Sequence, residues 1–311
     1  MNKLIVILGP TASGKTELSI KLALRLNSGQ AKKKFRINGV EIISADSRQV
    51  YKRMDIGTGK ITKKEMAGIP HHLLDVANPK KRFSVAQYQK LALKAIENIQ
   101  KKNKIPFLVG GTGFYIQSIV DGIVIPEVKP DWRLRKKLEK LTAEQLFKKL
   151  KKIDPKRAES IDKHNPRRLI RALEIVLKTG TAVPALSCAE GQKFNILEIG
   201  IIKSRDELKT LIHKRLIKRL ENNAIINEVR TLHNPPAGGL SWKRLEEFGL
   251  EYRFVAQYLQ NKLSHQEMIN NIQIESGHYA KRQMTWFKRD KRTHWVKDYK
   301  EANKLVKNFL N

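Results

Sequence analysis

The sequence predicts an α/β fold: a doubly wound parallel sheet with an inserted basic helical domain and a helical C-terminal part. Short apolar runs alternate with helical patterns over roughly the first 110 residues, as in sheets whose parallel strands are joined by helices. The alternation stops after Asp121-Gly122, where a long basic helical stretch begins. Strand-like runs resume near residue 194, so the sheet is predicted to be interrupted and then completed.

The first strand and the first helix flank a glycine-rich turn. Lys3–Leu8 is a largely apolar, β-rich run, which predicts a strand buried on both faces of a parallel sheet. A helix is predicted from Gly14, because leucines recur at i, i+4 spacing after it. The second strand is predicted at Val40–Ser44. Between them, residues 28–38 contain three consecutive lysines and are interpreted as a solvated basic loop.

The remaining strands and helices are predicted from the same two patterns, apolar runs and helical periodicity. A helix at Val85–Gln100 leads to a third buried strand at Ile105–Val109. After the basic stretch, Phe194–Ile202 is predicted as a strand and Arg205–Asn223 as a long amphipathic helix. A closing strand is predicted at Thr293–Lys297, after further helices.

The chain is accordingly divided into three segments. Residues 1–122 form the first part of the α/β core, residues 123–190 the inserted helical domain, and residues 191–311 complete the core with C-terminal helices. Between Lys129 and Arg171 there are 16 basic and 6 acidic residues, a local surplus of +10. This surplus marks the insertion as a candidate surface for a polyanion.

Composition narrows the class of protein. The 311 residues carry a formal net charge of +32 with 41% hydrophobic residues, which indicates a globular protein with a polyanionic partner. The single cysteine, Cys188, excludes an intrachain disulfide framework. Leu4–Leu8 is too short to span a bilayer, and no cleavable secretory pattern precedes it, so a cytoplasmic protein without a membrane partner is expected. His71-His72 lacks a third ligand at useful spacing and is interpreted as structural.

The turn after the first strand has a complete G-x-x-x-x-G-K-[ST] pattern. Its glycines let backbone N–H groups and a helix N-terminus converge on one anion, Lys15 adds a mobile charge, and Thr16 offers a hydroxyl to Mg²⁺. Because the pattern lies between a predicted strand and a predicted helix, a merely structural turn is a poor alternative. The predicted diphosphate-binding residues of this P-loop are Gly9, Pro10, Thr11, Ala12, Ser13, Gly14, Lys15 and Thr16.

Two other strand ends are predicted to lie at the same edge of the sheet. Asp46 follows the second strand and could reach the reacting centre, although a lone Asp in this position is by default a helix N-cap. The third strand ends in Gly110-Gly-Thr-Gly113, whose glycines permit close approach of a ligand. A tight strand-to-helix turn is the alternative explanation for that glycine run.

Basic helices offer candidate phosphate contacts. A predicted helix after an N-cap carries Arg167, Arg168 and Arg171 on faces away from its apolar stripe. These arginines could form a solvated surface or contact a phosphate backbone, and both alternatives are open. Arg215 and Arg219 form an i, i+4 ridge that could hold a phosphate or pair with surface acids.

The segment Lys281–Arg289 interleaves basic and aromatic side chains. Such a pattern suits a nucleic-acid surface that both neutralises phosphates and stacks bases. It equally suits an amphipathic helix with Trp286 and Phe287 in the core.

Taken together, these motifs resemble the tRNA dimethylallyltransferase (tRNA isopentenyltransferase) family. The sequence departs from the family pattern in the basic stretch at 28–38 and in the Gly249–Tyr252 element, where a Gly-Tyr pair is usual. The segments that carry the resemblance, in order along nearly the whole chain, are Gly9–Thr16, Ile43–Tyr51, Met54–Lys60, Pro70–Asp75, Leu108–Thr112 and Ala280–Trp286.

The resemblance implies a specific reaction. Members of the family transfer a dimethylallyl group from dimethylallyl diphosphate to N6 of adenosine 37 in tRNAs that read codons beginning with U, releasing diphosphate. The P-loop, with Lys15 and with Mg²⁺ on Thr16, would hold the allylic diphosphate rather than ATP. By the same resemblance Asp46 is the general base, Thr112 orients the adenine or the base, and Arg219 reaches the diphosphate.

The resemblance also implies contacts with a tRNA anticodon stem-loop by a monomeric chain. A P-loop kinase would explain the P-loop but neither the charge nor the insertion, and a non-catalytic RNA-binding protein would bind tRNA without transfer. The implied tRNA-binding residues are Asp46, Ser47, Arg48, Gln49, Thr112, Arg133, Arg167, Arg168, Leu169, Ile170, Arg171, Lys281, Arg282 and Gln283.

Overall fold

The computed structural model describes residues 2–126, 128–182, 194–234 and 238–311. Cys188 therefore lies outside the described residues. The chain forms two compact units, one made of residues 1–120 and 192–311 and the other of residues 121–191. None of the described helices is both long and apolar enough to cross a membrane.

The first unit is built on a parallel sheet with strand order β3-β2-β4-β1-β5-β6. Side chains alternate between its two faces, so that Leu4 and Val6 of β1 enter one core cluster and Ile5 and Ile7 enter the other. Helices cover both faces, which confirms the predicted doubly wound α/β fold. The strands are β1 Lys3–Leu8, β2 Val40–Ser44, β3 His71–His72, β4 Ile105–Gly110, β5 Asn195–Ile201 and β6 His294–Val296.

Fourteen α-helices and one short 3₁₀ helix are found in the described residues. They are α1 Lys15–Leu26, α2 Gly29–Phe35, α3 Val85–Lys101, α4 Gly113–Val120, α5 Trp132–Leu138, α6 Ala143–Ile153, α7 Pro155–Ser160, α8 Pro166–Thr179, α9 Arg205–Leu220, the 3₁₀ helix Glu221–Asn223, α10 Ala224–His233, α11 Trp242–Glu247, α12 Leu250–Leu259, α13 His265–Phe287 and α14 Tyr299–Leu310.

Two local predictions are corrected by these elements, and the His71-His72 pair is assigned to the sheet. The supposed loop at 28–38 contains α2, which the Ser28 side chain caps and which buries Ala31 and Phe35. The helix predicted to run to residue 223 ends as α9 at Leu220, because the next turn contains Asn222 at φ 53. His71-His72 forms the edge strand β3.

The second unit contains α5 to α8 around a small apolar core. Leu146 and Leu150 of α6 pack there with Leu169 and Leu173 of α8. One buried carboxylate, Glu174 of α8, lies among these helices and is paired with the arginines described below. The unit is thus helical and basic, with a core of its own.

Candidate active site

The P-loop joins the end of β1 to the start of α1. Gly9 has φ 152, and a Cβ there would lie 3.0 Å from Ser13 Oγ and 3.2 Å from the Ile201 carbonyl oxygen, so a side chain would be both strained and crowded. Gly14, at φ 88, is the N-cap of α1 and has no side-chain cap. The hydroxyl of Ser13 is buried and finds no hydrogen-bond partner among the described residues. The backbone is thus shaped to hold an anion at the start of α1.

Lys15 extends back over this loop. Its Nζ donates a hydrogen bond to the Pro10 carbonyl oxygen at 2.6 Å. Burial and the nearby charge of Arg215 lower the pKa of Lys15 to about 7, and the carboxylate of Asp46 partly opposes them. The charge of Lys15 therefore interacts with that of Asp46 at the end of β2 and with that of Arg215 in α9, and both residues are far from Lys15 in the sequence.

Asp46 occupies the turn after β2. Its Oδ1 accepts hydrogen bonds from the backbone N–H groups of Arg48 at 2.8 Å and Gln49 at 3.3 Å. A turn, not a helix, follows it, so the N-cap interpretation does not describe this residue. In the described part of the chain, Oδ2 accepts no hydrogen bond.

Thr112 ties the loop after β4 to the loop after β2. Its Oγ1 accepts a hydrogen bond from the Ser47 N–H at 3.0 Å, and its own N–H donates to the Ala45 carbonyl oxygen at 3.1 Å. A Cβ on Gly110 would lie 2.1 Å from the same Ala45 oxygen, so a glycine is required for this approach. The two predicted strand ends therefore do meet at one edge of the sheet.

A tyrosine that the sequence analysis did not single out borders this edge. Tyr279 of α13 is half-buried and interacts with the side chain of Thr112. Burial, and then the charge of Asp46, raise the pKa of Tyr279 to about 12. The residue stands immediately before the Ala280–Trp286 motif, and that position is the one signal that could have drawn attention to it.

Gln283, on the same helix, joins the P-loop to the loop after β4. Its Oε1 accepts a hydrogen bond from the Thr11 N–H at 2.7 Å, and its Nε2 donates to the Gly111 carbonyl oxygen at 2.8 Å. The side chain is only 6% exposed. Gln283 therefore positions two loops, and its predicted contact with tRNA stays a prediction. Lys281 and Arg282 are exposed.

The aromatic residues of this segment serve the core. Phe287 is buried and Trp286 is half-buried against the same core cluster. A Cβ on Gly113 would lie 2.3 Å from the Trp286 ring, so α13 packs closely on α4. The amphipathic-helix alternative is therefore correct for both aromatic side chains.

The two arginines of α9 face the P-loop. Arg215 and Arg219 line one cleft together with Thr11, Ala12 and Glu251. Arg219 is 7% exposed and forms an ion pair with Glu251, while its buried Nη2 has no hydrogen-bond partner in the part of the chain that the structure describes. Burial and then repulsion from Arg219 lower the pKa of Arg215 to about 10. The cleft is thus positively charged and incompletely neutralised.

A glycine-containing loop at Met54–Lys60 closes against this cleft. Glu228 of α10, which the sequence analysis missed, accepts hydrogen bonds from three successive backbone N–H groups, those of residues 55–57, at 2.7, 2.7 and 3.0 Å. It also accepts one from the Tyr252 hydroxyl at 2.7 Å. A Cβ on Gly59 would lie 2.2 Å from Arg219 Nη2. The altered Gly249–Tyr252 element thus supplies both Glu251 and Tyr252 to this site.

The predicted tRNA contacts near the P-loop occupy different environments. Arg48 is half-buried and donates through Nε to the Phe248 carbonyl oxygen at 2.8 Å. Gln49 donates through Nε2 to the Gly59 carbonyl oxygen at 3.1 Å, which ties the β2 turn to the Met54–Lys60 loop. Ser47 is half-buried, and its N–H is held by Thr112. Thr16 is exposed in the first turn of α1.

In the second unit, the predicted contacts divide by exposure. Arg133, Arg167 and Arg168 are exposed. The side chains of Leu169 and Ile170 are 0% and 8% exposed and belong to the core of the unit, so only their backbone is left for the predicted tRNA contact, which stays a prediction. Apolar residues on the inner face of an amphipathic helix cannot also face a solvated polyanion.

Arg171 is half-buried and is engaged within the second unit. Its Nη1 pairs with Glu174 Oε2 at 2.5 Å, and its Nη2 donates to the Val128 carbonyl oxygen at 3.0 Å. Arg135 also pairs with Glu174, at 2.6 Å. These two ion pairs therefore meet at one buried carboxylate inside the unit.

A P-loop on a parallel sheet, with a carboxylate and a basic cleft at the same edge, defines a phosphate-loop enzyme that handles an anionic substrate. Comparison with known proteins identifies the family. The family model described as "IPP transferase" matches residues 49–290. The chain belongs to the IPP transferase family and is an enzyme.

Relatives match over nearly their full length. A protein of Halothermothrix orenii named tRNA dimethylallyltransferase is 38% identical over 322 residues, covering 99% of this chain and 93% of the relative. One of Acetivibrio thermocellus with the same name is 39% identical over 319 residues, covering 99% and 96%.

Solved structures agree with the fold. The full-length tRNA isopentenylpyrophosphate transferase of Bacillus halodurans is 36% identical with a TM-score of 0.69, covering 100% of this chain and 97% of that one. A eukaryotic dimethylallyltransferase acting on tRNA is 26% identical with a TM-score of 0.76, covering 99% and 77%.

Proposed function

We propose that the chain transfers a dimethylallyl group from dimethylallyl diphosphate to N6 of adenosine 37 in tRNAs that read codons beginning with U, releasing diphosphate. One observation carries this proposal: Asp46, an available carboxylate, is electrostatically coupled to Lys15 of the P-loop at the edge where two strand ends meet. The relatives named for this activity support the same assignment.

The P-loop and the basic cleft suit the diphosphate. Backbone N–H groups at the start of α1, Lys15 and the arginines of α9 offer donors and positive charge on several sides of one anion. When the allylic C1–O bond breaks, negative charge accumulates on the departing diphosphate. Donors held in place before the reaction stabilise that charge at little reorganisation cost.

Asp46 suits the proton transfer. The exocyclic N6 of adenine is a weak nucleophile because its lone pair is delocalised into the ring. As the N6–C1 bond forms, one N6 proton must leave, and Asp46 would accept it as general base. Oδ1 is held by two backbone N–H groups, which fixes the carboxylate and leaves Oδ2 for that proton. Thr112 would fix the neighbouring Ser47 backbone and so the approach of the adenine.

The donor set also fits Mg²⁺. Among the described residues, no group of three or more His, Cys, Asp or Glu side chains could hold a metal ion. Mg²⁺ in phosphate sites needs few protein ligands, because phosphate oxygens and water complete its shell. The Thr16 hydroxyl would be the protein ligand, and the ion would supply further charge neutralisation for the diphosphate.

The tRNA would be held largely through its backbone. Exposed Arg133, Arg167 and Arg168, together with Lys281 and Arg282, offer phosphate contacts without demanding a particular base sequence. Adenosine 37 must leave the anticodon-loop stack to reach a carboxylate at the sheet edge, as happens when enzymes act on a base. We propose the anticodon stem-loop as the recognised part.

The proposal is tested by nucleoside mass spectrometry. Unmodified tRNA is incubated with the protein, Mg²⁺ and dimethylallyl diphosphate, then digested. We expect a mass gain on the adenosine at position 37 and one diphosphate released per transfer. The matched control is the same tRNA with guanosine at position 37, which should remain unmodified. Turnover of ATP with no modified nucleoside would contradict the proposal and favour a P-loop kinase.

A further inference from the structure

A carboxylate from α10 holds the Met54–Lys60 loop by its backbone. The N–H groups of residues 55 and 56 donate to Glu228 Oε2, both at 2.7 Å, and the N–H of residue 57 donates to Oε1 at 3.0 Å. The Tyr252 hydroxyl donates to the same Oε1 at 2.7 Å. Both carboxylate oxygens are therefore engaged by converging donors, as when successive backbone N–H groups enclose an anion.

The loop is packed closely around this carboxylate. A Cβ on Gly57 would lie 2.6 Å from the Tyr252 ring, so the glycine leaves room for the ring whose hydroxyl reaches Glu228. Within the loop, the Thr58 hydroxyl donates to the Met54 carbonyl oxygen at 2.7 Å. The loop is thus closed on itself and fixed to side chains of α10 and α12.

The same loop is bonded to the turn that carries Asp46. Gln49 Nε2 donates to the Gly59 carbonyl oxygen at 3.1 Å, and the Gln49 N–H donates to Asp46 Oδ1 at 3.3 Å. Lys60 joins the two segments again, because its Nζ donates to the Tyr51 carbonyl oxygen at 2.8 Å. A series of bonded contacts therefore connects the α10 carboxylate, through the loop and Gln49, to the Asp46 carboxylate.

We propose that Glu228 is a positioning residue for the transfer reaction: it fixes the Met54–Lys60 loop, and the loop fixes Gln49 and thereby the orientation of the Asp46 carboxylate. The inference rests on the proposed function, because it takes Asp46 to be the base that accepts the N6 proton. The carboxylate of Glu228 is engaged by the loop and by Tyr252, so it acts through them and not on a substrate.

The effect is expected on the rate and not on the affinities. Misplacement of a reacting group by about 1 Å can cost about 10²-fold in rate. Loss of Glu228 loosens only one of the two hydrogen bonds to Asp46 Oδ1, since the N–H of Arg48 still donates to that oxygen at 2.8 Å. A smaller loss, of about 10-fold, is therefore expected.

The first experiment measures single-turnover transfer and the dissociation constants of both substrates in Glu228→Gln. Gln is nearly isosteric but offers one acceptor oxygen instead of two, and its NH₂ group faces donors. We expect the rate at saturating substrates to fall about 10-fold, with both dissociation constants within about 3-fold of the parent. A merely structural role predicts a lower melting temperature with a parental rate at temperatures where the variant is folded. That result, or losses confined to the dissociation constants, would overturn the inference.

The matched control is Glu65→Gln in the adjacent segment. Glu65 Oε2 also accepts a backbone N–H and a hydroxyl, both from Thr62 and both at 2.8 Å, so its described hydrogen bonds stay within its own turn. Glu65→Gln should transfer at the parental rate. A 10-fold loss in this variant as well would mean that any loosening of the region slows transfer, and would overturn the specific role of Glu228.

The second experiment is a double-mutant cycle with Gln49→Met, which removes the donor to Gly59 at similar side-chain volume. Each single variant should lower the single-turnover rate about 10-fold, and the double variant should also lose about 10-fold, because both act through one connection. A loss of about 100-fold in the double variant would show independent effects and would overturn the connection through Gln49.

The variant Asp46→Asn separates failure of the inference from failure of the proposed function. If Asp46→Asn transfers at the parental rate, the base assignment in the proposed function fails. If Asp46→Asn is slow and Glu228→Gln is not, the inference alone is overturned.

Discussion

Basic side chains are buried or half-buried at the candidate site in one unit of this protein and are exposed on the surface of the other. At the sheet edge, burial and repulsion from Arg215 lower the pKa of Lys15 to about 7, and burial and repulsion from Arg219 lower the pKa of Arg215 to about 10. In the second unit, Arg167 and Arg168 are exposed. Its buried ion cluster is centred on an acid: burial opposes ionisation of Glu174, but hydrogen bonds from Arg135, the Asp131 N–H and Arg171 outweigh burial and lower its pKa to about 2.

This difference in the burial of basic side chains explains how one chain can bind two anions of different size. Enclosed cations are costly to desolvate, so a small anion that fits them gains strong, directional contacts. Exposed cations bind a long polyanion by releasing its counterions, which is insensitive to exact geometry and sensitive to salt. We therefore expect substitutions in the two units to affect different substrates, and the following predictions test that separation from the largest effect to the smallest.

The largest expected effect concerns Asp46 at the sheet edge. Asn can accept the same two backbone hydrogen bonds, so Asp46→Asn should fold and bind both substrates nearly as the parent does. It cannot take the N6 proton as a carboxylate does. Single-turnover transfer at saturating substrates should fall by ~10²–10⁴. Transfer at the parental rate would remove Asp46 from the mechanism.

The next prediction distinguishes the affinity for the diphosphate from the affinity for the tRNA. Lys15→Ala should weaken binding of dimethylallyl diphosphate by about 10²-fold, because an enclosed charge-assisted contact is lost. The affinity for tRNA should change less than about 2-fold. Lys21→Ala, an exposed α1 lysine paired with Glu17, is the control and should alter neither constant. Equal losses for both substrates would mean that the P-loop is assigned to the wrong one.

A variant of the second unit is expected to have the opposite effect, because it should weaken binding of tRNA and not of the diphosphate. With about 5 phosphate contacts, the parental affinity for tRNA should fall with salt at a logarithmic slope of roughly −3.5 to −4.5. Removing two charges in Arg167→Gln with Arg168→Gln should make the slope shallower by about 1.5 and weaken tRNA binding by about 10-fold. Binding of dimethylallyl diphosphate should be unaltered. A flat salt profile in the parent would refute tRNA binding by this segment.

The smallest effect is a pH dependence confined to the sheet edge. Because the diphosphate binds the protonated Lys15, whose pKa is about 7 in the free protein, affinity should fall about 5-fold between pH 7 and 8, with proton uptake measurable by calorimetry. The contribution of Lys15 to folding stability has the opposite sign. The unfolded chain binds the extra proton between about 7 and 10.5, so that contribution rises with pH across this window.

A charge-retaining variant makes the pH prediction specific. Arginine stays protonated throughout this range, so Lys15→Arg should lose the 5-fold dependence that Lys15 confers. The affinity of tRNA should not change between pH 7 and 8, since the guanidinium group as such carries its proton throughout this range. A parental pH dependence that persists in Lys15→Arg would place the titrating group elsewhere.

Local patterns in the sequence were sufficient for five of the six described strands and for the P-loop. β1 and β2 begin and end where predicted, because continuous apolar runs bounded by turn residues define strands buried on both faces. The glycine positions of the P-loop follow from backbone conformations that other residues avoid. In α2, the run of three lysines favoured a solvated loop and obscured the two apolar residues, Ala31 and Phe35, that the helix buries.

The roles of individual side chains depended on partners that are distant in the sequence. Gln283 joins Thr11 to Gly111, and Glu251 pairs with Arg219 across 32 residues, and no local periodicity encodes such contacts. Leu169 and Ile170 were grouped with neighbouring arginines by resemblance, yet the helical period buries them. The sequence by itself determined the class of fold, the anion loop and the family, since these rest on backbone geometry and short motifs. Only the tertiary structure decided which charges are neutralised and which face the cleft, because burial and pairing arise when remote segments pack together.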